Sequence, residues 1–419
     1  MHEICLLAQI TSNQHSNIKV AIEQLSNRTK PAVSIILPCL NEEETLGFCI
    51  TQCIETIEGA IDQGIILSGE IIVADNGSID QSAAIAQSLG ATVICTEKRG
   101  YGNALIKGIE HSSGNFIFIG DADGSYDFSK LPAFLEKYSL GHELIMGCRF
   151  PSGGGSIEPN AMPWIHRTLG NPIITMCSRF FFRTPVNDIY CGLRGLSKSL
   201  YDKLNMQCEG MEFAVEMVVK TSMLGENISQ IPITLKKDLR INSKPHLKTF
   251  SDGWRTLRYL LLSNPKLLFL FPGFLAIVLG ILGYLFVYLK TDLAGAKLEA
   301  NTLLVASLFL ILGVQSIFFG LFSTALGLQK NLILQEPKYL QIFRYATLGK
   351  GILLALGMTI FGISCIANIL YKWRLANYTS LNYSETMLIL IPGITAIALA
   401  ATSMFSTFTI SLLVIDQDK

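Results

Sequence analysis

Charge is what this 419-residue chain has least of. Asp, Glu, Lys and Arg make up 16% of it, against roughly 25% in a typical soluble domain. With half of the residues apolar, a single water-soluble globule is excluded. The shortage is also uneven. Residues 1–266 hold 27 acidic and 24 basic side chains, whereas residues 267–419 hold 6 and 9. A mixed, water-compatible part therefore precedes an apolar one. The net charge is zero and no basic tract occurs, so nucleic acid is not an expected partner. Paired cysteine motifs are lacking as well. The ten cysteines stand singly, and Cys49 and Cys53, although at helical spacing, have no second pair to match them. They read as reduced, mostly buried thiols, which excludes a disulfide-stapled scaffold and a zinc site. A basic leader is absent too. The short apolar run 4–10 follows His2 and Glu3, so it does not read as an export signal, and residues 1–30 are expected to be a loosely ordered lead-in.

Long apolar runs, by contrast, are plentiful. Leu267–Leu289, Thr302–Leu328, Gly349–Tyr371 and Met387–Val414 each reach the ~20 residues that a helix needs to cross a hydrocarbon core. Backbone polar groups in lipid must be paired within the segment, so helices are expected, with Pro272 and Pro392 near the starts of their spans. Ten basic residues flank the spans on one side: Arg240, Lys244, Lys248, Arg255, Arg258 and Lys266, then Lys330, Lys338, Arg344 and Lys350. Four lie on the other: Lys290, Lys297, Lys372 and Arg374. The bias places residues 31–249 in the cytoplasm and the chain in the cytoplasmic membrane as a multi-pass protein. Residues 250–266 mix Trp254, Tyr259 and several leucines with Arg255 and Arg258, as in a helix lying in the headgroup plane. Residues 267–419 form the membrane domain.

The water-compatible part alternates. Val33–Leu37, Glu70–Ala74, Thr92–Cys95, Asn115–Gly120 and Glu143–Cys148 read as strands. Helical stretches over roughly 41–57, 81–89, 103–111 and 130–138 separate them. Such alternation predicts an α/β domain with a mostly parallel sheet, whose ligands sit at the carboxyl ends of the strands. Polar clusters fall there: Pro38–Glu44 (PCLNEEE), Asp75–Asp80 (DNGSID) and Asp121–Asp127 (DADGSYD). Asp121 and Asp123 directly follow an apolar strand, and a turn there can aim both carboxylates at one divalent ion. The glycines of Gly100–Gly102 follow the third strand rather than the first, and Leu105 stands where a dinucleotide fingerprint needs its last glycine, so a nicotinamide site is rejected. Lys98 is a candidate for facing phosphates. Basic residues before the first span are candidates for a lipid phosphate.

Taken in order over residues 31–264, these motifs resemble an inverting family-two glycosyltransferase of the dolichol-phosphate mannose synthase type, whose bacterial relatives act on undecaprenyl phosphate. The resemblance implies a glycosyltransferase A type domain followed by four membrane helices. It implies that Pro38, Asn41 and Glu42 open the nucleotide-sugar site, that Asp75 contacts the base, and that Asp121 and Asp123 hold Mg²⁺ or Mn²⁺ and the diphosphate. Ser125 stands where many relatives carry a glutamine metal ligand. Gly147 and Arg149 match a Gly-x-Arg motif, and Asp188, Gly192 and Arg194 match an Asp-x-x-x-Gly-x-Arg segment. These arginines, with Arg240, Ser243 and Lys244 from an Arg-x-x-Ser-Lys motif, are expected to steady donor and acceptor phosphates. The implied reaction moves a hexose from UDP-glucose or GDP-mannose to a polyprenyl monophosphate. A processive polysaccharide synthase is the alternative enzyme, although its Gln-x-x-Arg-Trp motif is missing. A non-catalytic membrane-bound nucleotide-sugar or lipid-binding protein is the other alternative. Homo-oligomerisation is left open.

Overall fold

The computed structural model describes residues 31–241, 249–290, 292–293, 296–334 and 348–415. The chain divides into two compact units, one ending at Leu260 and one starting at Leu261.

The first unit is built on β1 (Ala32–Cys39), β2 (Ser68–Asp75), β3 (Thr92–Cys95), β4 (Phe116–Ile119), β5 (Leu144–Cys148), β6 (Ser156–Ile157), β7 (Arg194–Ser197), β8 (Ile228–Pro232) and β9 (Thr234–Leu235). Seven of these form one sheet in the order β3-β2-β1-β4-β7-β5-β8, while β6 and β9 pair separately. Neighbours run parallel except at β7, which is antiparallel to both β4 and β5. The core of β1 (Val33, Ile35, Ile36, Leu37) and all of β4 are buried. Unbroken apolar runs of this kind suit strands covered on both faces. Helices cover the sheet, and the first buries a single stripe. In α1 (Leu46–Asp62) that stripe is Leu46, Cys49, Ile50, Cys53, Ile57 and Ala60, at helical spacing. Next come α2 (Ser82–Ser88), α3 (Tyr101–Glu110), α4 (Leu131–Ser139), α5 (Asn171–Phe182), α6 (Lys198–Leu204) and α7 (Phe213–Leu224), then α8 (Thr249–Leu262).

The first five expected strands are present within a few residues. The reversed strand β7 and the edge strand β8 are additions. The β7 sequence, Arg-Gly-Leu-Ser, has neither alternation nor an apolar run. Pairing on both sides makes it a strand.

Among the described residues of the second unit, four helices are long and apolar enough to cross a membrane: Lys266–Tyr288, Ala300–Gln329, Leu348–Leu375 and Tyr383–Leu412. Small residues let them approach. A Cβ on Gly280 would come 2.8 Å from the Ala306 carbonyl, and one on Gly362 would come 2.6 Å from the Gly393 carbonyl, as in close-packed membrane helices. One expectation needs correcting. Pro392 is not near the start of its span but inside a helix that already begins at Tyr383. In a bundle, neighbouring helices and hydroxyl side chains tolerate such a residue. Pro272 follows a widened π-helical turn over Lys266–Leu270, which relieves the ring's clash with the preceding turn.

Candidate active site

Loops leaving β1, β2 and β3 are laced together at one edge of the sheet. Across β1–β2, Pro38 pairs with Ala74 and Cys39 with Asp75, so the two following loops start side by side. Asn41 adopts a left-handed backbone (φ 55°), which Asn tolerates better than most residues. Its N–H donates to Ser78 Oγ (2.9 Å), and its Oδ1 accepts from the Ile79 N–H (2.9 Å). Buried Asp75 accepts from the Ser78 N–H (3.1 Å) and hydroxyl (2.5 Å). Asn76 Oδ1 accepts from the Gly100 N–H (2.7 Å), which brings in the loop after β3.

The acidic pair lies at the end of β4. Ile119 pairs with Arg194 across β4–β7, so the chain entering β7 reaches the same edge as the chain leaving β4. Asp121 is held from two sides. The Tyr101 hydroxyl donates to its Oδ1 (3.0 Å). Its Oδ2 lies so near Gly192 that a Cβ there would stand 2.3 Å away. Burial, and then the Asp123 charge beside it, push the Asp121 carboxyl up to about 6. Asp123 Oδ1 accepts from the Ser125 N–H (2.9 Å) and hydroxyl (2.6 Å). Ser125 therefore orients its neighbour's carboxylate.

Arg240 faces this turn. Its Nη1 lies 3.6 Å from Asp123 Oδ2. Its Nε donates to Glu42 Oε2 (2.9 Å), and its Nη2 donates to Glu42 Oε1. Glu42 is itself buried, and its N–H donates to Ser82 Oγ (2.8 Å). Burial disfavours the Arg240 charge, but Glu42 outweighs it and holds the guanidinium well above its ordinary range. Cys49 on α1 feels the same group: burial pushes its thiol up to about 12, and Asp123, Glu42 and Asp121 all add to the effect. Three carboxylates and one guanidinium thus converge over the first turns after β1 and β4.

Other expected site residues are engaged by protein partners near this turn. Arg149 and Asp188 form a buried forked pair, Nε to Oδ2 (2.7 Å) and Nη2 to Oδ1 (2.8 Å). Burial alone would lower the Arg149 guanidinium, but the Asp188 charge holds it well above its usual range. Arg149 Nη1 also donates to the Tyr126 hydroxyl (3.3 Å), which accepts from the Gly192 N–H (2.9 Å). Arg194 is buried and donates to the carbonyls of Cys191 and Ala214. These arginines brace the segment that carries Gly192 against Asp121. Lys98 lies at the surface, 3.8 Å from the Glu209 carboxylate. Ser243 and Lys244 fall outside the described residues.

Sequence reasoning missed Tyr101 and Tyr126. Tyr101 sits in the Gly-Tyr-Gly stretch weighed only as a failed fingerprint. Its neighbour Gly102 has a physical reason: a Cβ there would stand 2.2 Å from the Cys208 carbonyl. The buried pair Glu216–Lys220 (2.7 Å) was also missed. Glu216 accepts from the Gln207 and Cys208 N–H groups (3.0 and 2.8 Å), fixing the loop that packs on Gly102. Its i,i+4 spacing was the available signal.

Residues 34–204 match the model of glycosyl transferase family 2, and residues 322–414 match the family 2 C-terminal transmembrane region. The low-salt glycan biosynthesis hexosyltransferase Agl6 of Haloferax volcanii is 35% identical over 295 residues, covering 70% of this chain and 68% of that protein. A dolichyl-phosphate hexose transferase of the same organism is 24% identical over 205 residues, covering 49% of this chain and 83% of that protein. Among solved structures, glucosyl-3-phosphoglycerate synthase from Mycobacterium tuberculosis in complex with Mn²⁺ and uridine-diphosphate-glucose is similar, with 20% identity and a TM-score of 0.42 over 58% of this chain and 82% of that one. The chain belongs to glycosyltransferase family 2. It joins a glycosyltransferase A-like α/β domain to a multi-pass membrane region.

Proposed function

We propose that this glycosyltransferase moves a hexose from a nucleotide sugar, UDP-glucose or GDP-mannose, to a polyprenyl monophosphate at the cytoplasmic face of the membrane. The observation that carries the reading is the Asp121–Asp123 turn at the carboxyl end of β4, beside the loops that hold Asn41, Glu42 and Asp75. The name of the dolichyl-phosphate hexose transferase supports a lipid phosphate acceptor. The excess of Lys and Arg around the first span and the middle loop supports the cytoplasmic side.

The donor set fits a hard divalent cation. Among the described residues no third His, Cys, Asp or Glu completes a protein cage around the pair. Mg²⁺-type sites commonly use one or two carboxylates plus substrate phosphates. Asp121 and Asp123 would hold the ion. When bound, Mg²⁺ or Mn²⁺ would offset charge on the departing diphosphate.

The chain's own residues do the positioning. Tyr101 and Gly192 fix Asp121, and Ser125 fixes Asp123. Asn41 and Asp75 shape the floor for the nucleotide. An acceptor phosphate oxygen attacks the anomeric carbon as the bond from that carbon to the diphosphate oxygen breaks, with inversion. The nucleoside diphosphate leaves with the bonding electrons. An ionised phosphate needs no strong general base, so bringing two anions together in line is the main task. Arg240 is placed to take part once its hold on Glu42 loosens.

A panel of radiolabelled nucleotide sugars, assayed with added polyprenyl phosphate, tests the reading. We expect one UDP- or GDP-hexose to give a lipid-extractable product with the purified chain and none with D123A. Equal turnover by D123A, or a growing polymer in place of a single-sugar lipid, overturns it.

A further inference from the structure

Two glycines flank Tyr101, and both press on one loop. A Cβ on Gly100 would stand 2.3 Å from the Glu209 carbonyl oxygen, and one on Gly102 would stand 2.2 Å from that of Cys208. The Asn103 N–H, in the first turn of α3, donates to the same Glu209 carbonyl (3.2 Å). A helix cannot satisfy its own first-turn donors, so this loop does it. The start of α3 therefore sits in a seat made by two consecutive carbonyls, and from that seat the Tyr101 hydroxyl reaches Asp121 (3.0 Å).

The seat is itself held by a charged pair. Glu216 and Lys220 lie one turn apart on α7, 2.7 Å from each other, with both side chains fully buried. The Glu216 carboxylate accepts from the N–H groups of Gln207 (3.0 Å) and Cys208 (2.8 Å). The Lys220 ammonium donates to the carbonyl of Asn205 (2.7 Å), whose backbone is left-handed (φ 44°). Together they fix the chain on both sides of Met206. Stability alone is a poor reason for such a pair, because apolar replacements of like volume often do as well. What the pair supplies is a fixed position for the Cys208 and Glu209 carbonyls.

We infer that Glu216, with Lys220, is a positioning residue for sugar transfer: it sets the seat of Gly100–Gly102, and through it the reach of Tyr101 to Asp121. The inference rests on the proposal that Asp121 holds the metal, and on no particular sugar or lipid. Outer partners of a metal-binding side chain commonly contribute about 10–100-fold to metal affinity. Asn76 Oδ1 also accepts from the Gly100 N–H (2.7 Å), so the stretch stays anchored from the β2 side when the seat loosens.

The test is Mn²⁺ binding by the full chain in detergent, without nucleotide, read as loss of the free-ion signal in electron paramagnetic resonance. Y101F should weaken binding about tenfold. E216Q turns one accepting oxygen into a donor and should weaken binding by a similar factor, in protein that thermal melting shows to be folded. The E216Q/Y101F double variant should bind no more weakly than Y101F, because both changes cut the same path. Should E216Q melt below the assay temperature, E216M/K220M takes its place, since it strands no buried charge. Wild-type affinity in the folded E216Q or E216M/K220M protein overturns the inference, and so do losses that multiply in the double variant. D121N separates this failure from that of the metal site: wild-type affinity in D121N overturns the site, and the inference with it.

Discussion

The two ends of the same parallel strands treat carboxylates in opposite ways. At the entering end, Glu70 on β2 accepts from the Ser34 hydroxyl (2.5 Å), the Ser113 N–H (2.7 Å) and the Ser113 hydroxyl (2.8 Å). Burial alone would raise its pKa, but these donors outweigh it and leave Glu70 below its ordinary value of 4.5. At the leaving end, burial and Asp123 push Asp121 up to about 6, and the Tyr101 hydroxyl only partly offsets them. One end is a satisfied joint. The other gathers three carboxylates against one guanidinium, so its negative charge is only partly offset.

The largest effect is expected where a charge is buried with a single oppositely charged partner. Asp188→Asn would strand the Arg149 guanidinium and should cost about 3–5 kcal/mol of stability. Chemical denaturation in detergent would measure it, and an unchanged midpoint would show that the pair is not a brace. Next comes Asp121→Asn. Loss of the carboxylate should cut sugar transfer by about 10²–10³-fold, the scale of removing one charge-stabilising group. The same change should make the protein more stable. A carboxyl raised to about 6 from 3.8 opposes folding when ionised, and protonation relieves that as pH falls toward and below 6. The variant should therefore melt a few degrees higher than wild type at pH 7–8, with the gap closing near pH 4. A lower melting point throughout would erase the contrast between the two ends. The smallest effect is expected for Glu70→Gln, about 1 kcal/mol once partial exposure is allowed for. Glu70 has a lowered pKa, so its contribution is full above 4.5 and is lost as pH falls through the folded-state value. Wild type and E70Q should converge there. A constant gap down to pH 3 would mean that the charge is not what the serines recognise.

Much of this was readable in the residues. The apolar runs of β1 and β4 announce buried parallel strands, and the acidic turns after them announce the polar edge that holds the candidate site, because chain leaving a covered strand must be polar. The membrane spans follow from length and charge alone. The orientation of arginines was not readable. Arg149, Arg194 and Arg240 look alike in sequence, yet two are buried on protein acceptors and one faces the acidic turn. What separates them is long-range pairing: the partners Arg149 and Asp188 are 39 positions apart in the chain, and Arg240 and Glu42 are 198 apart. Tyr101 was hidden for a related reason, since Asp121 lies a helix, a loop and a strand further along the chain.

The reversed strand β7 has a consequence for how such a domain can diversify. Parallel strands reach the edge that carries the acidic turn only with their outgoing connections. A strand running the other way delivers an incoming one, here the stretch that carries Asp188 and Gly192 before Arg194 meets Ile119. Insertions upstream of Asp188 can thus remodel what approaches the acidic turn, while the ladder between β4 and β7 keeps its register.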